Sequence, residues 1–489
     1  MTEEYEVIGM YQLTNNYLLR FGERCDGATR LGRCVAYRHC HRQKTRRASY
    51  LAGLLLLTLI AHPLLAQEKS VERLKGIDSE SVAVSRAQKQ GPATPAKRSV
   101  TVAEAVSIFL KQNLQLVAAR YEIDLADAEK LTARLRPNPQ LSVGSADLPL
   151  DFSGNLIKQQ TYSYGISQTF ELGGKRSKRI AEANANLELA RAEFQMVLWQ
   201  LTNDLKKKFY SALLAEALLN LAKENQKTLA ETIKHTTELF QLGEISGLDL
   251  RRLEVEQFKF DTDVANSERD YELAVRDLRV TLGGDYRAMD IEVAGAIDYY
   301  QPYELSLAEL RDKALAARPD LKTAQISERA AAASIRLQDA QRIPDLNLGA
   351  GIAQVPLGTS TYTFNLGITL PWFDRNQGER AKALIQKNKA QNQQRFITNQ
   401  VLSDVDKALV AFNIQKRRVE LYRTGVLAKV DEIQNLTEFS LKAGESSIIE
   451  LLDAIRTRRE TLAAYYLTLF DYQASLLDLE LATATPLQK

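Results

Sequence analysis

Apolar residues recur every seven positions along the stretch from Arg176 to Leu242. Ile180, Leu187, Phe194 and Leu201 stand in one register and Ala183, Ala190 and Val197 in the other. This is the spacing of a helix seam that packs on a neighbouring helix, and the alanines allow close backbone approach. The stretch runs 67 residues without Gly or Pro. At about 1.5 Å per residue it predicts a rod on the order of 100 Å long, which needs lateral partners along its length. A second stretch, Glu379 to Ala443, has no Pro and a single Gly, Gly425, and predicts a second rod. Shorter helices are expected from Leu114 to Arg136, Leu248 to Leu282, Leu321 to Ile343 and Ser446 to Ala484. Stacked end to end in pairs, they match the length of one rod and can line it.

Elsewhere the period drops to two. Tyr162, Tyr164, Ile166 and Phe170 alternate with Ser163, Gly165, Ser167 and Thr169, and Tyr362, Phe364, Leu366, Ile368 and Leu370 alternate with Thr363, Asn365, Gly367 and Thr369. Each run predicts a strand with one greasy face and one small, polar face. With weaker partners over about 140–147 and 345–354, strands over about 161–171 and 361–372 form two hairpins, each long enough to cross a membrane. A soluble two-sheet sandwich is the competing reading of the strands alone. Four strands cannot close a barrel, and an open edge in hydrocarbon leaves amides unsatisfied at several kcal/mol each. Hairpins in a membrane therefore require several chains: two give eight strands and a filled interior, three give twelve and room for a channel.

The chain is a duplication. Residues 101–144 lie over 306–349 without a gap, placing Ala103 on Ala308, Leu110 on Leu315, Leu116 on Leu321, Pro139 on Pro344, Leu141 on Leu346 and Gly144 on Gly349. Further on, Gly243-Glu244 falls on Gly444-Glu445. The expected order in each half, 101–284 and 306–485, is short helix, helix, strand, strand, long helix, helix. Residues 285–305 connect the halves and, with the two short helices, are expected to form a band outside the rods.

Charge changes the picture little. The formal +3 is concentrated in residues 1–66, where nine Lys/Arg outnumber five Asp/Glu, so the remainder is near neutrality. No basic stripe interleaved with aromatics points to nucleic acid. The apolar run Leu51 to Leu65 follows Arg42, Lys44, Arg46 and Arg47 and ends at Ala66-Gln67, the layout of a secretory signal peptide; a short membrane anchor is the competing reading. The residues ahead of it point to an over-extended start, with initiation at Val35 giving an ordinary leader. Cys25, Cys34 and Cys40 all precede the cleavage point, so neither a disulfide nor a lipid anchor on cysteine is expected in the mature chain. Residues 67–100, rich in Lys, Ser, Pro and Gln, read as a lead-in without periodicity.

The arrangement of signal peptide and duplicated helix-strand-strand-helix halves resembles the TolC-type outer-membrane efflux factors over roughly residues 101–484. The corners Glu171-Leu172-Gly173-Gly174-Lys175-Arg176 and Leu370-Pro371-Trp372-Phe373-Asp374-Arg375-Asn376-Gln377-Gly378 resemble the strand-to-helix turns of the CzcC-like, cation-efflux branch. The resemblance implies a mainly α fold with a small β part. It implies a homotrimer whose twelve-stranded outer-membrane β-barrel continues as a twelve-helix periplasmic α-barrel. The implied partners are a periplasmic adaptor (membrane fusion protein) and an inner-membrane pump of the resistance-nodulation-division type. On that resemblance the far tips, with Gly243, Glu244, Ser246, Gly444, Glu445 and Ser446, are expected to dock the adaptor. Asp249, Glu450 and Asp453 fall on acidic positions of the periplasmic gate and constriction. The bland readings are helix termination by glycine and acids favoured by the macrodipole at a helix start. Ser446 and Leu441 depart from the Arg and Tyr that hold the gate shut in the family's best-known pattern.

After the leader only His235, Met196 and Met289 could serve as soft or borderline metal ligands, too few for a site of three or four. No catalytic constellation is evident, and Gly173-Gly174-Lys175 lacks phosphate-loop spacing. The expectation is a passive exit duct without catalysis or cofactor, for heavy-metal cations or alternatively for drugs or other organic solutes. The reading from a different class is a periplasmic coiled-coil structural or adaptor protein. Sequencing the N terminus of membrane-extracted protein should find it near Gln67; a mature chain that retains Cys25 to Cys40 would overturn the signal-peptide reading.

Overall fold

The computed structural model describes residues 98–146, 160–243, 245–285, 290–299, 306–355, 359–443 and 445–487. The expected leader, the lead-in as far as residue 97, and tip residues Glu244 and Gly444 lie outside the described residues. The first half contains β1 (Arg98–Val100), α1 (Val102–Gln112), α2 (Leu114–Arg134), β2 (Gln140–Ala146), β3 (Thr161–Phe170), α3 (Lys175–Gln241) and α4 (Gly247–Leu282). After β4 (Ile291–Val293), the second half contains α5 (Leu307–Ala317), α6 (Pro319–Gln341), β5 (Leu346–Gln354) and β6 (Ser360–Ile368). Then come α7 (Gln377–Leu421), a π-helical segment (Tyr422–Val426), α8 (Leu427–Lys442) and α9 (Ile448–Thr483).

The duplication is visible in how helices begin. Thr101 and Glu104 form a capping box at the start of α1, and Ser306 and Glu309 form the same box at α5. In both, the cap's N–H bond holds the glutamate below its ordinary pKa. Helix ends follow local chemistry. Helix α2 stops at Arg134 rather than Arg136, because Pro137 disfavours helical backbone at the residue before it. Ser447 is the N-cap of α9, so the helix starts two residues after Ser446.

The first rod, α3, is continuous over 67 residues. The second is not uniform. At Tyr422–Val426 one extra residue is taken up in π geometry, with the Leu427 N–H reaching back to the Tyr422 carbonyl. Gly425 lies in this turn, and the rod's other glycine, Gly378, is the second residue of α7. Helix α3 packs against α2 and α4 of its own half and against α6 and α9 of the other; α7 packs on α5, α6 and α9, and α8 on α9.

Three apolar cores lie along the rods. The largest gathers Val100, Phe109, Leu205, Phe209, Leu278 and Tyr472 with β4, α5 and α7. Its outer layer is the parallel pair β1–β4, in register from Arg98↔Ile291 to Val100↔Val293. Buried Arg318 fastens this region by binding Asp320 and Asp404 while stacking 5.4 Å from the Trp199 ring. A second core, Leu229, Leu253, Phe260, Ile448, Leu451 and Ile455, lies toward the tips. The third, Ala126, Leu187 and Ala190 with Ile123, joins α3 to α2 nearer the strands. The expected seam is thus buried at Ala183, Leu187 and Ala190, whereas Ile180 and Phe194 are half-buried in the single chain.

The strands β2-β3-β5-β6 form one antiparallel sheet, and among the described residues β2 and β6 each have a neighbour on one side only. Strand β6 ends at Ile368, opposite Leu346, the first residue of β5. The stretch to 372 expected as strand has no partner there, and Pro371 has no N–H to donate. One face carries Val143, Tyr164, Ile352 and Tyr362 in a row across all four strands. It is bare: Tyr362, Phe364 and Leu366 are more than 70% exposed. On the other face small residues meet glycines, as in Ser142↔Gly165, Gly144↔Ser163 and Ser167↔Gly349. A Cβ on Gly351 would lie 2.7 Å from the Tyr164 carbonyl and 2.9 Å from Thr363 Oγ1, so only glycine fits.

Leu187→Asp should place a carboxylate in the α2–α3 seam at a cost of roughly 3 kcal/mol or more, while Phe194→Asp should cost less because that ring keeps contact with water. Urea unfolding of the two variants checks this; equal midpoints, or a milder Leu187→Asp, would show the seam to be misplaced.

Candidate functional site

Both rods end in tight turns that return the chain as α4 and α9. Gly243 closes the first turn in the left-handed region, φ 80°, with its N–H bonded to the Phe240 carbonyl at 3.0 Å. Ser246 then caps α4, its Oγ accepting the Leu248 N–H at 3.0 Å. In the second turn the Glu445 and Ser446 N–H groups both donate to the Ser440 carbonyl, and Ser446 Oγ donates to the Thr437 carbonyl at 3.2 Å. Leu441 packs on the tip core. Both departures from the family's gate pattern therefore have local structural roles.

The two turns share a cleft of about 850 Å³ lined by Ile245, Ser246, Asp249, Leu441, Ser446 and Ser447 among others. Asp249 and Ser446 are brought together there, but Glu450 and Asp453 are not among its lining residues. Laying Ser246 on Ser447 makes Asp249 the counterpart of Glu450 and Arg252 the counterpart of Asp453. In the first half the pair is of opposite sign and closes on itself, Arg252 Nη1 lying 3.3 Å from Asp249 Oδ1. In the second half it is two acids. Glu450 completes a capping box with Ser447, accepting its N–H at 3.0 Å, and Asp453 is exposed one turn on. Glu450 thus caps the start of α9, which the macrodipole reading did not include, and the residue remains exposed to solvent at the same time.

Sequence reasoning passed over the strongest electrostatic link in this region. Glu256 on α4 is buried and takes a bidentate contact from Arg456 of α9, Nε at 2.9 Å and Nη2 at 2.6 Å, with Lys259 Nζ at 2.9 Å. The Arg456 hydrogen bond, assisted by Lys259, outweighs burial and holds the Glu256 carboxyl below its ordinary pKa. Asp453 adds to the negative field that raises Arg456, behind the main contribution of Glu256. The signal was present in the spacing Leu253, Glu256, Phe260, Val264, which puts Glu256 on the apolar stripe of α4. Arg459–Asp263 continues the stitching at 2.7 Å. Among the described residues no three His, Cys, Asp or Glu converge as metal ligands, and His235 is half-exposed beside Glu238. No described helix is long and apolar enough to cross a membrane.

Because the Glu256 pKa is depressed on folding, its contribution is complete above the unfolded carboxylate value of about 4.3 and is lost as pH falls through the folded value. Glu256→Gln should weaken the α4–α9 pairing by about 1–3 kcal/mol at neutral pH and flatten this acid limb. Hydrogen exchange of α4 and α9 amides between pH 3 and 7 measures both; an acid limb of unchanged depth in the variant would assign it to other carboxylates.

The sequence profile of the outer membrane efflux protein family matches residues 105–284 and 310–485. The cobalt-zinc-cadmium resistance protein CzcC of Cupriavidus metallidurans is 26% identical over 367 residues, covering 73% of this chain and 84% of that protein. The cation efflux system protein CusC of Escherichia coli K12 is 25% identical over 386 residues, 76% of this chain and 79% of that protein. The open-state MtrE outer membrane channel of Neisseria gonorrhoeae shares the fold, with a TM-score of 0.65 at 19% identity over 82% of this chain and 94% of that one. With two profile matches that together span both duplicated halves, and with the fold of the TolC-type channels, this chain belongs to the outer membrane efflux protein family.

Proposed function

We propose that three copies of this chain close a twelve-stranded barrel in the outer membrane and continue it as a twelve-helix periplasmic tunnel. The tunnel is a passive exit duct for heavy-metal cations. The observation that carries this reading is the sheet whose two edges are unpaired among the described residues and whose one face is largely apolar and exposed to solvent. Edges of this kind are satisfied in hydrocarbon only by edges of further copies, and twelve strands leave a lumen where four or eight do not. The small, glycine-rich opposite face then lines the pore. The cargo follows from the relatives, whose names are those of a cobalt-zinc-cadmium resistance protein and a cation efflux protein.

In this reading the tips face the periplasm, where Gly243, Glu244, Ser246, Gly444, Glu445 and Ser446 meet an adaptor that connects the duct to an inner-membrane pump of the resistance-nodulation-division type. Energy enters through those partners. Glu450 and Asp453, one turn apart on the second hairpin, form acidic rings when repeated around a threefold axis and favour cations at the mouth; Asp249 adds to them from the first hairpin.

Protein purified from outer membranes should be a trimer that conducts ions across a planar bilayer, and a monomeric, non-conducting species would support the soluble coiled-coil class. In the same recordings Glu450→Gln/Asp453→Asn should lower cation preference and divalent block, with the trimer intact because Gln can also close a capping box. Wild-type preference should weaken with salt, as screening shortens to about 10 Å at 0.1 M. Unchanged reversal potential and block would leave Glu450 as a helix cap alone.

A further inference from the structure

Where the sheet gives way to the helices, four segments lie in one band. Gln168 Nε2 donates to the Pro137 carbonyl at 2.8 Å, and the Leu172 N–H donates to Asp345 Oδ1 at 3.1 Å. Ile368 at the end of β6 pairs with Leu346 at the start of β5. The apolar stripe of β6 does not stop with the strand. Leu370 and Trp372 continue its even-numbered positions, and Trp372 and the adjacent Phe373 are 69% and 93% exposed. Bare aromatic surface of this kind in water marks a contact site.

The charge in the band is one-sided. Its acids are engaged: Glu171 with Arg179, Asp345 with Lys175, Asp339 with Arg380, and Asp374 with the Asn376 N–H. Arg136, Arg342 and Arg375 are exposed, and none has a carboxylate partner among the described residues. Indole and phenyl rings in the same band as guanidinium groups without a carboxylate partner, continuous with a largely apolar sheet face, match the chemistry of a membrane interface. Aromatic rings favour the headgroup level, and arginine binds phosphate through two parallel hydrogen bonds.

We propose that this corner is an anionic-phospholipid binding collar: Trp372 and Phe373 insert at the headgroup level of the periplasmic leaflet, and Arg136, Arg342 and Arg375 bind lipid phosphates. The collar rests on the reading of the sheet as a membrane barrel. It sets the depth of that barrel, because a bulky ring bracketed by phosphate contacts resists movement in either direction along the bilayer normal. Exposed arginine without a carboxylate partner, otherwise a source of self-repulsion in a threefold assembly, then has a counter-charge.

The chain has two tryptophans, Trp199 and Trp372, so Trp199→Phe leaves the collar indole as sole reporter. The full chain carrying that change is reconstituted into phosphatidylcholine vesicles containing equal mole fractions of either brominated phosphatidylglycerol or brominated phosphatidylcholine. Quenching of Trp372 should report a local preference for the anionic lipid of about fivefold or more, since one basic residue near an anionic surface is worth roughly that factor. Arg136→Gln/Arg342→Gln/Arg375→Gln should bring the ratio toward one while leaving quenching by the zwitterionic lipid in place. Equal quenching by both lipids without the arginine changes overturns the collar. So does an unquenched Trp372, which would mean that a subunit or another protein covers the corner. A parallel chain with Trp199→Phe, Trp372→Phe and Phe364→Trp separates the two readings. Quenching there with none at Trp372 ends the collar and keeps the barrel, and quenching at neither site ends the barrel reading itself.

Discussion

An antiparallel sheet of four strands leaves two rows of backbone N–H and C=O groups without partners, and this is the constraint on which the rest of the molecule turns. In water such edges are solvated; against hydrocarbon each open group costs several kcal/mol. The face carrying Tyr164, Ile352, Tyr362 and Phe364 has no covering layer among the described residues; in the proposed membrane setting lipid meets this face and further copies pair the edges. The glycines of the opposite face belong to the same solution. At Gly351 the neighbouring strands approach so closely that a methyl group would collide with backbone, and the serine hydroxyls near it bond to carbonyls, as Ser142 Oγ does to Gly165.

The helices solve a different problem, that of holding rods about 100 Å long without one globular core. Burial is divided among three patches, and the largest lies where α1, α5 and the β1–β4 pair wrap the middle of the rods. Polar groups near that belt are spent on fastening: Arg318 on two aspartates, and Tyr299 on Glu420, where burial, followed by the hydrogen bond to Glu420, pushes the Tyr299 phenol up to about 12. Just beyond Glu420 the second rod takes up its π turn while the first continues unbroken. The duplicated halves are alike in caps and order and unlike in this respect.

The tips show how one carboxylate can serve two purposes. Glu450 satisfies the N terminus of α9 and still faces solvent, and its counterpart Asp249 pairs with Arg252 on its own helix. A single difference of sign, Arg252 in one half and Asp453 in the other, makes the second hairpin the more acidic of the two. Beneath it, Glu256 and Arg456 lock α4 to α9, so the exposed acids stand on a frame held by a separate, buried ion pair.

Much of this was legible in the chain because it depends on local rules. The uninterrupted run from Arg176 to Leu242 anticipated α3 to within one residue at each end, since helix persistence is set by the absence of Gly and Pro. Period-two alternation located the four strands and named their greasy face, because side-chain direction in a strand follows from parity alone. Gly425 was visible as the one glycine between Glu379 and Ala443. The sequence by itself thus determined element type, face and duplication. Tertiary structure decided what depends on distant partners. Strand β6 ends at Ile368 because β5 begins opposite it, not because its own pattern ends there. Ser446 and Leu441 are committed to the Thr437 carbonyl and the tip core, and Glu256 lies on an apolar stripe because Arg456, 200 residues away, supplies its counter-charge. Periodicity reports which way a side chain points, and only the packed chain reports what it meets there.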